Sequence, residues 1–192
     1  MKSLRIVLAL LIAIPAIAGA AKNDQSVRIH ARLIGYEEVP SVSTVARGRF
    51  DATLDPVEQA IDYELSFSGL QGTVQQSHIH FAQKGVNGSV VIWLCQTTTT
   101  PAPAAVAGIT PFCPQSGTVT GHITTANVVA AGTASQQIAA GELGEVIAAI
   151  RAGVAYANVH STPLTPGGEI RGQIRVGDDD DDHDQGGGND RD

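Results

Sequence analysis

Cysteine is nearly absent from this chain of 192 residues, which holds only Cys95 and Cys113. Two cysteines are too few for a disulfide scaffold, and they lack the close Cys-x-x-Cys spacing that tunes a redox thiolate. Neither lies near the end of the N-terminal apolar stretch, so a lipid-bearing cysteine there is not expected. Basic excess is missing too. Lys and Arg number 12 against 19 Asp and Glu, for a net charge of −7, and nucleic-acid binding, which calls for a basic face, is not expected. Beyond the first residues no run approaches the roughly 20 apolar residues of a membrane-spanning helix. There is no Gly-x-Ser-x-Gly, no His-Glu-x-x-His and no glycine-rich phosphate loop. Ser77 adjoins His78, but neighbours on a strand point to opposite faces, so they form no nucleophile and base pair. Glu37 and Glu38 would need a facing carboxylate at a defined separation to cleave a glycoside. Enzymatic readings are therefore disfavoured.

The two ends are present and legible. Residues 1–20 carry Lys2 and Arg5, an apolar run from Ile6 to Ile17 and the small-residue exit Ala18-Gly19-Ala20, the pattern of a signal peptide cleaved near Ala20. Export to the periplasm or the medium is the expectation, with no membrane span left after cleavage. A short lead, 21–26, precedes the folded part. The last segment, 177–192, holds eight Asp and one Arg, so it accounts for the whole net charge, and the expectation is a disordered acidic tail. Its carboxylates could loosely bind Ca²⁺, although a solubilising or spacer role is the simpler reading.

Between the ends, residues 27–176 suit one domain with a sizeable core. In an oxidising compartment Cys95 and Cys113 are expected to pair and staple the irregular, Thr- and Pro-rich stretch between them. Alternation with a period of two dominates. Val27, Ile29, Ala31 and Leu33 alternate with Arg28, His30 and Arg32, which places His30 toward solvent. Ala46 to Leu54 and Ile61 to Phe67 repeat the pattern, with a turn at Asp55-Pro56. Asn87-Gly88 reads as a hairpin turn and Thr165-Pro166-Gly167-Gly168 as a second turn before a strand over 169–176. Leu143, Val146, Ile147 and Ile150 fall at helical spacing, predicting one short helix near 142–152. The fold class is all-β and mainly antiparallel, a Greek-key-like β-sandwich or flattened barrel of about eight strands.

His78 and His80 share one face of their strand. With His160 they offer three imidazole nitrogens, and His122, Glu169 or water could complete a Zn or Cu site. The same histidines could instead hydrogen-bond across strands, with Glu169 accepting from an imidazole or pairing with Arg171, and this polar-network reading is preferred.

Glu37-Glu38-Val39-Pro40, Gly69-Leu70 before His78-Ile79-His80, the Gly85 and Asn87-Gly88 turn, Tyr156-Ala157-Asn158-Val159-His160 and Gly168-Glu169-Ile170-Arg171-Gly172-Gln173-Ile174 follow one another in a fixed order. This series resembles the signature of the CHRD domain, the module named after chordin. The resemblance implies an extracellular domain with no established enzymatic activity and an unknown extracellular ligand or protein partner. Chordin binds growth factors largely through separate Cys-rich modules, which this chain lacks, so that activity is not carried over. Gly69-Leu70 leading to His-x-His is also similar to the copper-binding strand of Cu/Zn superoxide dismutases. The follow-on ligands are missing, since no Asp lies between His80 and His122. The reading is an exported, non-enzymatic binding or structural module, with a metal-binding, redox-active protein as the rival.

Overall fold

Where apolar and polar residues alternate, the chain forms strands that bury one face. A computed structural model describes residues 26–55, 60–163 and 165–177. The signal-like segment 1–20, nearly all of the lead 21–26 and the Asp-rich residues 178–192 lie outside the described residues, as does Pro56 of the Asp55-Pro56 turn.

Nine strands are described: β1 (Val27–Ile34), β2 (Arg47–Asp55), β3 (Ala60–Ser68), β4 (Thr73–Phe81), β5 (Ser89–Cys95), β6 (Gly117–Ile123), β7 (Ala155–Thr162), β8 (Thr165–Gln173) and β9 (Arg175–Val176). They join one sheet in the order β5-β4-β7-β8-β1-β2-β3-β6, with β9 pairing β1, and every strand pair is antiparallel. The sheet curls until its ends approach. Tyr63 of β3 donates its hydroxyl to Leu94 O of β5 at 2.6 Å, a buried bond between strands near opposite ends of that order. The result is a nearly closed antiparallel barrel, as the alternation predicts. The outer edge of β5 is covered by the segment after β6, where Ile92 bridges Val128 and Val129 N donates to Val91 O at 3.0 Å.

The barrel interior is filled by Ile29, Leu33, Phe50, Leu54, Ile61, Leu65, Ile79, Ile92, Leu94, Ile123, Val159 and Ile170, all 1% exposed or less. Two helices lie outside the sheet: α1 (Ala104–Ala107) is a single turn, and α2 (Leu143–Arg151) is the short helix the spacing predicts. Leu143, Val146, Ile147 and Ile150 are its buried stripe, and Gly153 follows it with a left-handed φ of 69°.

Four local expectations need correction. His30 is buried, not solvent-facing. The predicted strand over 169–176 breaks at Ile174, and β9 turns to pair with His30 and Ile29, so that His30 Nδ1 lies 2.7 Å from Gly177 O. The expected turn at 165–168 is strand, because β8 already begins at Thr165. Asn87-Gly88 is not a two-residue hairpin turn. The β4 to β5 connection is long, and its tight turn is centred on Lys84-Gly85, where Val86 N donates to Gln83 O and Gly85 supplies the positive φ of 77°.

Cys95 and Cys113 form a disulfide across 18 residues. Inside the closed loop Gln96 braces the irregular chain, its Nε2 donating to Ala107 O and Thr110 O at 2.7 Å each. Closing a loop of this length stabilises by about 3 kcal/mol through the unfolded chain. The Cys95→Ala/Cys113→Ala variant is expected to lose about that much unfolding free energy while keeping the fold, as read by urea denaturation midpoints and far-UV circular dichroism.

A buried histidine cluster as the candidate functional site

β4 and β7 are buried on both faces. Ile79, Ala157 and Val159 point into the barrel, while His78 and His80 of β4 and Tyr156, Asn158 and His160 of β7 lie on the outer face. The register sets His78 opposite Asn158 and His80 opposite Tyr156, and on β8 it sets Arg171 opposite Asn158. Outward polar side chains on a sheet normally meet water. Here two straps cover them: residues 35–44 after β1, and residues 82–88 between β4 and β5.

The straps are fastened from below. Arg171 is 1% exposed, and its guanidinium donates to Val86 O (2.9 Å), Gln83 O (3.4 Å) and Asn87 Oδ1 (3.3 Å). It also lies over the Tyr156 ring, 3.4 Å from the centroid. Asn87 passes the connection on, its Nδ2 donating to Val39 O at 2.9 Å. Glu169 holds the base of the first strap. Its carboxylate accepts from Thr44 Oγ1 (2.7 Å), Gln71 N (2.8 Å) and Ser161 Oγ. Burial acts to raise its pKa, but these bonds and one from the Gly72 amide leave it below the usual value.

Beneath the straps the imidazoles meet. His78 Nδ1 and His160 Nε2 are 3.3 Å apart, His80 Nδ1 donates to Gly88 O at 2.9 Å, and His80 Nε2 lies 3.1 Å from Asn158 Oδ1. One nitrogen from each of the three rings falls within 4.8 Å of the other two. Trp93 and Tyr156 wall the cluster, Trp93 edge-to-face with His78 and Tyr156 stacked on His80 at 4.6 Å. Burial, then the neighbouring His160 and His80, keeps the pKa of His78 well below the usual range. Burial brings His80 down to about 4, against the opposing hydrogen bond to Gly88. Both shifts favour neutral, lone-pair-bearing rings for His78 and His80 at neutral pH.

Of the other expected site residues, His122 lies on the far end strand, exposed, with its Nδ1 2.7 Å from Asp62 Oδ1. Glu169 makes the bonds described above, none of them to an imidazole or to Arg171. Pro40 is exposed on the first strap, Gly69 turns the chain before β4 with a φ of 74°, and Gly172 packs against the backbone of Arg32. Tyr156 and Trp93 carry no role in a reading built on ligand types alone. The same period-two count that pairs His78 with His80 also sets Tyr156 and Asn158 on the face of His160.

Glu38 is the unexpected member. It hangs from the first strap, 5% exposed, against Gly168, where any Cβ would stand 2.3 Å from Glu38 Oε1. That atom has no hydrogen-bond partner among the described residues. Burial pushes the Glu38 carboxyl up to about 7, although Arg171, the Val39 amide and Asn158 act in the opposite direction. An acid whose folded pKa lies above its unfolded value of about 4.5 favours folding below that value, and the benefit is lost as pH rises to about 7. Glu38→Gln removes this dependence. The variant's stability relative to the parent is expected to increase by about 3 kcal/mol between pH 4.5 and pH 7, and to stay level above it, in urea unfolding at matched ionic strength.

The ordered residues around this cluster have a counterpart in one family of domains. The family model described as CHRD domain matches residues 29–174, from the third residue of β1 to the residue after β8. No curated protein and no solved structure matches the chain. The matched span holds the barrel, both straps and every residue of the buried polar layer, and the chain belongs to the CHRD domain family.

Proposed function

We propose that this protein is exported and works in the cell envelope or the extracellular space as a non-enzymatic binding or structural module. The observation that carries the reading is the CHRD match over nearly the whole described fold. The Cys95–Cys113 disulfide suits an oxidising compartment, and none of the described helices is long and apolar enough to cross a membrane. The signal-like residues 1–20 supply the route.

Each histidine of the cluster is at most 8% exposed, too enclosed to meet a macromolecular partner. An open surface exists elsewhere, on the outer face of β1, β2, β3 and β6. A groove of about 750 Å³ there is lined by Arg28, Arg49, Asp51, Asp62, Glu64 and Thr120. Charges of both signs side by side suit a partner recognised by polar pairing rather than by a basic or acidic field.

Expression of the full chain in a bacterium with a general secretory pathway tests the export half. The expected product is found in the periplasm or medium, with a mass that begins near Ala21 and no thiol reactive toward maleimide after unfolding. A cytoplasmic product that keeps Met1 to Ala20 would refute it.

A further inference from the structure

The buried layer sets ring nitrogens and an amide oxygen face to face. A carbonyl only accepts, so the contact with Gly88 O places the proton of a neutral His80 on Nδ1 and leaves Nε2 as a lone pair. That Nε2 faces Asn158 Oδ1 at 3.1 Å, a second acceptor. Alongside, His78 Nδ1 and His160 Nε2 sit 3.3 Å apart.

We propose that His78, His80 and His160 form a binding site for one borderline transition-metal cation, Zn²⁺ or Cu²⁺. An ion with bonds of about 2.0–2.1 Å in tetrahedral geometry separates neighbouring ligand atoms by roughly 3.3–3.4 Å, and the His78 to His160 distance has this value. The third ring also offers a nitrogen within 4.8 Å of one on each of the other two. His80 has the arrangement that orients a ligating imidazole, its remote N–H held by a backbone carbonyl while the other nitrogen faces the ion. Asn158 Oδ1 lies 3.1 Å from the His80 nitrogen that would face the ion. Imidazole ligands suit zinc and copper, and Trp93 and Tyr156 wall the rings on two sides. The enclosure, with each histidine at most 8% exposed, makes the site a structural clamp between β4 and β7. This proposal stands on ring geometry and is independent of where the protein works.

The test uses full chain carrying no affinity tag, stripped with chelator and then titrated separately with Zn²⁺ and Cu²⁺. Expected are one equivalent bound per chain by calorimetry and elemental analysis, a rise in melting temperature on loading, and a Cu²⁺ electron paramagnetic resonance spectrum with nitrogen superhyperfine splitting. His80→Gln and His160→Gln should each weaken binding at least tenfold, while His122→Gln and His183→Gln leave it unchanged. Because a variant could fail to fold, the spectrum of the unaltered protein decides by itself. Folded wild type that takes up neither ion, or a copper spectrum from oxygen ligands alone, as the Asp-rich tail would give, overturns the site. Undiminished binding in folded His80→Gln and His160→Gln variants would do the same.

Discussion

A guanidinium enclosed by protein is the constraint on which the site depends. Arg171 cannot shed its charge, so its donors must find acceptors where water does not reach. Its carbonyl acceptors, Gln83 and Val86, lie in a strap that would otherwise be a loose loop, and a third, Asn87, reaches across to the other strap. The Tyr156 ring beneath the cation is the same ring that stacks on His80. One charge on β8 thereby sets the position of both covers and one wall of the histidine cluster. Lysine, with a compact ammonium in place of a planar fork, would match this set of acceptors poorly.

The fold thus has two buried layers with different chemistry. Inside the barrel, apolar side chains pack without directional demand. Outside, beneath the straps, every group is polar or aromatic and bonds only at set distances and angles, so a small shift leaves an orphaned atom. The residues of the family signature lie chiefly in this second layer and in the turns that shape it. Such a network specifies one arrangement more than it adds stability, since buried ionic groups offset much of their own attraction through desolvation.

The interior was legible in the sequence because burial against an apolar core imposes a strict period, seen in Ile61, Tyr63, Leu65 and Phe67, and again in the stripe of α2. The outer layer was only half legible. That His78 and His80 share a face follows from local geometry, but their company depends on which strands pair. Glu169 was expected near an imidazole or Arg171, and long-range partners, Thr44 and Gln71, claim it instead. His30 alternates as a solvent-facing residue should, yet a two-residue strand from the far end of the domain covers it. Asn87-Gly88 carries turn chemistry, but the turn falls three residues earlier and Asn87 serves as a tie between the straps. In each case the deciding contact comes from a distant part of the chain, which no local period encodes.

The covering of β5 by Val128 and Val129 has a consequence for life at high concentration. An end strand with bare amides and carbonyls is a template on which a second molecule can extend the sheet, and repeated extension leads to fibres. With that margin already hydrogen-bonded to its own chain, and with Tyr63 drawing β3 toward Leu94, one route to intermolecular strand pairing is closed by backbone geometry, without relying on surface charge to keep copies apart.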